Sequence, residues 1–502
     1  MTHDLARRSV HAVIWSYAGG VGKIAAQLII QILLARMLGP EIFGQYATVL
    51  VVIGFGWLFA DSGFGSALIQ KKEVSTKDIS YALGWVLLLS LCSAVAIAVI
   101  APFIASGMGD LALAAPITAC GPIVVLQALS NISLSLMRRD LDMKRTQLIQ
   151  LAAYVLGFGV VAMTLAMLGT GVWSLVIGFL VQTLITLLSG YFFVRHTLVP
   201  SLHGDAQMRR FGVSVLGTNL ANWAIENLDR VLVGRQWGIA SLGSYSAASN
   251  LSRVPVSLLV SSFQSVILSS ASRVQDDVDR LRRGFIAVLS LVSVVTFPLA
   301  ALLASKADFV IFTLYGNKWD AAGPLFAAFC VALPAYVLLA VAGPTLQAVG
   351  AAASEFKAQV FTATVLFAGL VLLANQPLAL AIWFIPCIYL MRFLLVYTIL
   401  AKKIFLEHRP AIMAVAGGTT LALTIVSMEK IIGYVMQSRA PAAPWLVIAQ
   451  VLAEGMCCFL LLRAAPHFFV GAELSRMLLA RSGESKSARL MCKVIRLRGI
   501  SK

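Results

Sequence analysis

Apolar residues fill this chain in runs of roughly 17 to 25, the length that carries a helix across a hydrocarbon core. Short polar stretches separate the runs, and together they predict about fourteen spanning helices. The first seven are Val10 to Met37, Phe43 to Ile69, Ile79 to Ala105, Leu111 to Met137, Leu148 to Leu168, Val172 to Val194, and Phe211 to Val233. The second seven are Leu242 to Ala271, Phe285 to Ala304, Pro324 to Val349, Ala358 to Ala374, Leu378 to Leu400, Ala411 to Tyr434, and Trp445 to Leu462. The pattern is that of an all-α integral membrane protein.

Basic residues sort these helices into an orientation, because short loops rich in Lys and Arg stay on the cytoplasmic side. One set of loops holds nearly all of them: Arg7 and Arg8, Lys71 to Lys77, Arg138 to Arg145, Arg195 to Arg210, Arg273 to Arg283, Lys357, Lys402 to Arg409, and the tail from Arg463. The opposite loops hold only Arg235, Lys306, Lys318 and Arg439. This alternation implies an even helix count with both termini in the cytoplasm. The net charge of +17 then meets anionic lipid and calls for no nucleic acid. With 59% hydrophobic and 12% charged residues the chain leaves no room for a sizeable soluble domain. The longest outward loop, Ser305 to Gly323, is too short for a catalytic domain, so function has to lie inside the membrane. The first helix lacks a cleavage site and reads as a retained span.

A repeat organises the chain. Arg36 to Tyr46 (RMLGPEIFGQY) returns as Arg235 to Tyr245 (RQWGIASLGSY), an R-x-x-G-x-x-x-[FL]-G-x-Y motif at an offset of 235 − 36 = 199 residues. Each copy ends an apolar helix. Repeats of this length in a membrane chain mark two similar lobes laid end to end, the common plan of secondary transporters. Carried upstream, the same offset pairs Gly20, Lys23, Gln27 and Gln31 of the first helix with Asn219, Asn222, Glu226 and Arg230 of the seventh. Both sets recur every three or four residues and so share one helix face. An Arg, Lys or Asp at mid-bilayer costs roughly 2.5 to 3.5 kcal/mol, which turns Lys23, Glu226, Asp229 and Arg230 away from lipid. Ser246, Asn250, Arg253 and Ser257 extend the stripe along the eighth helix. The expectation is a hydrated cavity between the lobes, lined by the first, seventh and eighth helices, with Gly121-Pro122, Pro334 and Gly343-Pro344 as bending points.

Other chemistry is absent from the pattern. AGGVGK at Ala18 to Lys23 glances at a phosphate-binding loop, but Tyr17 stands where its first glycine belongs and Ile24 where its hydroxyl belongs. The six histidines and seven cysteines have no metal, triad or disulfide spacing. Neither an enzyme nor a metal or organic cofactor is indicated.

Three stretches carry a family likeness: LLARMLGPEIFGQYA, ADSGFGSALIQKK and NLDRVLVGRQWGIASLGSYSAASNLSRVP. They resemble Wzx-type polysaccharide exporters of the multidrug/oligosaccharidyl-lipid/polysaccharide (MOP) flippase superfamily, the branch that includes colanic-acid exporters. That resemblance implies two pseudo-symmetric six-helix lobes, residues 1–200 and 201–405, two further helices in 406–465, and a basic tail, 466–502. It implies a bacterial inner-membrane flippase whose cargo is an oligosaccharide repeat unit on a polyprenyl pyrophosphate, with a polymerase and a chain-length regulator as partners. Lys23, Arg230 and Arg253 suit the pyrophosphate, since ammonium and guanidinium groups replace its hydration. Gln27, Gln31, Asn219, Asn222, Asn250 and Ser257 suit sugar hydroxyls. Glu226 and Asp229 are the acids available to couple an ion. The same residues also admit plainer roles: Glu226 and Arg230 as an i,i+4 ion pair, Arg253 as a carbonyl cap, and Arg36 and Arg235 as anchors at the outer interface. Asp61 reads as packing or capping, and Arg392 and Glu454 either pair within the bundle or snorkel. A drug or organic-cation antiporter on the same superfamily fold is the competing reading, and its cavity should favour acids and aromatics.

Overall fold

The computed structural model describes residues 2–61, 63–71, 73–203, 206–255, 278–436, 444–481 and 492–495. Every described regular element is helical, and eleven of the described helices are long and apolar enough to cross a membrane. Their ends fall close to those the hydropathy pattern predicts: Thr76–Gly107, Val172–Phe193, Ala322–Ala348 and Pro444–Ala464 are examples. The run from Leu242 is described as far as residue 255, so Ser257 lies outside the described residues. Two compact units result, one formed by Met1–Ala247 with Phe312–Ala321 and the other by Ala248–Ile311 with Ala322–Lys502.

Local chemistry sets the helix ends. Ser75 and Asp78 form a capping box ahead of Thr76–Gly107, and Asp78 also pairs with Lys71 at 2.6 Å. Asp142 accepts from the Arg145 N–H and opens Met143–Tyr154. Arg139, at the end of Cys120–Arg139, donates to the Leu68 carbonyl at 2.8 Å and to that of Lys71, closing the short helix Phe64–Gln70. Gly63 to Lys71 therefore form a tight elbow. Gly63 sits at φ 71 before that helix, and a Cβ on Gly65 would lie 2.7 Å from Ser135 Oγ.

Several elements depart from the sequence expectation. The outward loop after Ser305 holds a helix, Ala307–Tyr315, and a single turn, Asn317–Trp319. Pro334 and Pro344 lie inside the continuous helix Ala322–Ala348, while the helix preceding Gly121-Pro122 does end there, at Thr118. Residues Val155–Ala162 are π-helical. The tail is not wholly unstructured either. Its helix Ala472–Arg481 packs Leu474 and Leu478 against Ala287 and Leu291 of Val278–Ser305.

The repeated motif now has a physical reading. Its first glycine takes a left-handed φ in both copies, Gly39 at 80° and Gly238 at 86°, a turn that residues with a Cβ avoid. Gly39 thereby breaks the long run Thr2–Asp61 into two helices. Its second glycine brings backbones into contact: a Cβ on Gly44 would sit 1.8 Å from the Ile239 carbonyl oxygen, and one on Gly243 would sit 1.8 Å from that of Pro40. Because 40 + 199 = 239 and 44 + 199 = 243, each copy touches the other at equivalent positions. The motif arginine of the first copy anchors a helix end. Arg36 donates to the carbonyls of Leu314, at 2.7 Å, and Thr313, and the Trp319 indole N–H donates to the Ala35 carbonyl at 3.0 Å. Such a contact tolerates no methyl group. Gly44→Ala or Gly243→Ala is expected to cost about 1–3 kcal/mol or more through overpacking, read as a lower thermal midpoint in detergent. Gly284→Ala, at a position where a Cβ meets no atom within 4 Å, should leave the midpoint unchanged or higher.

Candidate functional site

Inside the first unit five helical segments close around a polar cavity of about 200 Å³. The first helix contributes Lys23, and Trp57 comes from the same run beyond its Gly39 break. Cys120–Arg139 presents Gln127, Ser130, Asn131, Leu134 and Arg138, a stripe at three- and four-residue spacing along one face. Met143–Tyr154 adds Gln150, and Val172–Phe193 adds Phe179, Gln182, Thr183 and Thr186. Phe179 is held by Phe158 of the π-helical turn, ring centroids 6.1 Å apart.

Electrostatics give the cavity its selectivity. Lys23 and Arg138 bring two positive charges close enough to repel each other, and no carboxylate is found among the described lining residues. The Lys23 ammonium donates to Gln150 Oε1 at 2.9 Å, a neutral acceptor that leaves its charge uncompensated. Ser130, Thr183 and Thr186 each give their hydroxyl hydrogen to a carbonyl of their own helix at 2.8 Å, so they face the cavity as acceptors. Gln127 Oε1 and Gln182 Oε1 are buried with no hydrogen-bond partner among the described residues. Buried amide oxygens left unpaired cost about 1–3 kcal/mol each, which a donor entering the cavity would recover. The site thus asks for one anionic group and several hydroxyl donors together, with the Trp57 and Phe179 rings offering apolar faces.

The described lining of this cavity brings Lys23 together with Cys120–Arg139, Met143–Tyr154 and Val172–Phe193, while the seventh helix, Ala206–Trp237, belongs to the same unit and contributes none of the described lining residues. Gln27 and Gln31 continue its face of the first helix and are half-buried, and the space beside Gly20 and Gly22 is open. Asn219, Asn222 and Asn250 are also half-buried, and Glu226 is exposed. Asp229 is tied into the repeated motif: its carboxylate accepts from the Tyr245 hydroxyl at 2.5 Å and from the Arg230 backbone N–H at 2.8 Å. Arg253 belongs to the second unit, where its guanidinium lies 5.9 Å from the centre of the Tyr336 ring. Arg392 pairs with Glu355 at 3.6 Å, not with Glu454.

Arg230 borders a different space. Among the described lining residues it is the one charged side chain in an apolar crevice of about 540 Å³, whose walls include Val52, Phe55, Ile97, Ile104, Met108 and Trp223. Phe55 and Trp223 meet there at a centroid distance of 4.9 Å. A hydrocarbon chain suits such walls. Sequence reasoning missed Gln127, Asn131, Arg138 and Gln182 because Arg138 counts as a loop charge and the glutamines stand alone. The i,i+4 spacing of Gln127 with Asn131, and of Gln182 with Thr186, is the signal that would have found them.

Comparison with known proteins fits this chain to a lineage. The chain is 25% identical over 344 residues to the succinoglycan biosynthesis transport protein ExoT of Rhizobium meliloti, covering 68% of this chain and 69% of ExoT. It is 27% identical over 339 residues to the lipopolysaccharide biosynthesis protein WzxC of Escherichia coli, covering 65% and 67%. Among solved structures it is similar to the lipid II flippase MurJ in an inward closed conformation, with TM-score 0.71, 13% identity, and 91% and 99% of the two chains covered. It is also similar to an inward-facing multidrug resistance MATE family transporter of the MOP superfamily, with TM-score 0.57, 14% identity, and 81% and 95% covered. The fold is therefore that of the MOP superfamily. The profile of one family, described as polysaccharide biosynthesis protein, matches residues 33–324, more than half of the sequence, and the chain belongs to that family.

Proposed function

We propose that this protein is a flippase that carries a polyprenyl-pyrophosphate-linked oligosaccharide repeat unit across the bacterial inner membrane by alternating access, for exopolysaccharide or lipopolysaccharide synthesis. The observation that carries the reading is the acid-free cavity around Lys23 and Arg138, with unpaired amide oxygens at Gln127 and Gln182. A phosphate answers the two cations, sugar hydroxyls answer the amide oxygens, and no soluble cofactor is needed. The kinship with proteins named for succinoglycan transport and lipopolysaccharide synthesis supports the same cargo class.

In this reading Lys23 and Arg138 grip the pyrophosphate, and Arg230 meets it from the apolar crevice, where the first isoprene units lie against Phe55 and Trp223. Arg253 contributes from the second unit. Gln27, Gln31, Asn219, Asn222, Asn250 and Ser257 serve the glycan. The protein acts as a carrier and makes or breaks no covalent bond, so it works beside a polymerase and a chain-length regulator. Both termini face the cytoplasm, where the basic loops meet anionic lipid. A cationic drug is a poor occupant, because a site with two positive charges repels it.

Two outcomes test the assignment. Inorganic pyrophosphate should raise the thermal midpoint of the purified protein, by the equivalent of about 2.7 kcal/mol at a hundred times its dissociation constant, and Lys23→Met with Arg138→Met should abolish the shift. In proteoliposomes, fluorescent lipid-linked oligosaccharide should move between leaflets, and Lys23→Ala should slow that movement at least tenfold, the loss of one charge-assisted contact of about 1.4 kcal/mol or more. Unchanged flipping in both Lys23→Ala and Arg230→Ala would end the phosphate assignment.

A further inference from the structure

The last two spanning helices carry a buried charge cluster that the cargo has no use for. Lys306, at the start of Ala307–Tyr315, is 9% exposed, and its ammonium reaches both carboxylate oxygens of Glu429, at 2.8 and 2.7 Å. Glu429 lies on His408–Met436, and from Pro444–Ala464 the Gln450 amide donates to Glu429 Oε2 at 2.6 Å and to Glu454 Oε1 at 3.0 Å. Glu454 is fully buried, and its Oε2 has no hydrogen-bond partner among the described residues. Glu429 and Lys306 are the charged groups that bear on it, and the Glu429 carboxyl is near enough to share a hydrogen bond with Glu454 when one of the two is protonated. Cys458, one turn further along the same helix, is its titratable neighbour, packed with Leu421 and Ile425.

Counting charges across the cluster gives one ammonium and two carboxyls. Lys306 and Glu429 neutralise each other, so an ionised Glu454 would stand in a hydrocarbon setting with one neutral amide as its support. That arrangement is costly, whereas a carboxylic acid there is not. A metal cation at the same place would sit beside the Lys306 ammonium and be repelled. A proton adds no such charge, since it joins Glu454 Oε2 by an O–H bond and leaves the cluster neutral.

We propose that Glu454 is the proton-binding site of this protein, loaded as pH falls and emptied as pH rises, and that Lys306 transmits its state. Release of the proton leaves two carboxylates competing for one ammonium and draws Lys306 toward Glu454. Lys306 is the first link of Ala307–Tyr315: its carbonyl accepts from Val310 N–H at 2.9 Å, and the last carbonyls of that helix are held by Arg36 at the end of the first helix. The charge of Glu454 therefore acts on the first link of Ala307–Tyr315. Coupling to cargo rests on the flippase reading, but the proton site does not.

The test has two arms on the full-length protein. Infrared difference spectra of a pH titration, without cargo, should show a protonated carboxylic C=O band that Glu454→Gln removes and Glu226→Gln leaves in place. In proteoliposomes with lipid-linked oligosaccharide, a one-unit pH gradient should sustain up to about a tenfold cargo ratio between leaflets, reduced to equal distribution in Glu454→Gln while exchange without a gradient continues. A band that persists in Glu454→Gln overturns the proton site. So does a sodium-dependent thermal stabilisation that Glu454→Gln abolishes in the absence of any such band. Gradient dependence that survives Glu454→Gln and vanishes in Glu226→Gln overturns the coupling. If wild-type protein moves no cargo while the band behaves as stated, the flippase reading fails and the proton site stands.

Discussion

A charge inside a bilayer has no water to fall back on, and that constraint shapes how the ionisable side chains named above are placed among the described spanning helices. Arg36 and Arg139 spend their hydrogen bonds on the open carbonyls at helix ends, which need donors in any case. Lys306 and Glu429 neutralise each other, and Asp229 is held by a tyrosine hydroxyl and a backbone amide. Lys23 and Arg138 are of a different kind, since the polar groups around them in the cavity are neutral and two of those are themselves unpaired. Fixed positive charge without a fixed counter-charge is a standing cost, which is the ground on which an anionic cargo is proposed for this cavity.

The sequence told much of this and failed in an instructive place. Helix positions follow from apolar run length, which the bilayer fixes almost without reference to tertiary structure, and the predicted Val172 to Val194 against the observed Val172–Phe193 shows how tightly. The Gly39 turn was legible as a motif because a duplicated pattern needs no contact to be seen. The neighbours of Lys23 were not legible. Two polar stripes at a shared offset say that each helix has a face to hide, but not which helix hides it, and Gln127, Gln150 and Gln182 come from three helices with no common spacing. Arg138 was counted with the cytoplasmic loop because it stands next to Arg139, yet one of the pair caps a helix and the other enters the cavity. Ala307–Tyr315 was missed for the opposite reason: nine residues are too few for a span, and its ends are stabilised by Arg36 and Trp319 contacts invisible in one dimension.

Duplication supplied the backbone of this protein and not its chemistry. Gly39 and Gly238 keep the same turn, and Gly44 and Gly243 the same close approach, although only four positions of the eleven-residue motif are identical. Setting Gly121-Pro122 against Gly323-Pro324, an offset of 323 − 121 = 202, places Phe329, Ala332 and Leu333 where Gln127, Ser130 and Asn131 line the cavity. All three are buried, inside a helix that holds Phe326, Cys330 and Val337 almost free of solvent. The helix that opens a polar cavity in one unit is thus filled with hydrocarbon in the other. The polar stripe beside Lys23 therefore has no polar counterpart at these described positions of Ala322–Ala348. Such asymmetry suits a carrier that accumulates cargo on one side of the membrane, because equal affinity in both states gives exchange and no accumulation.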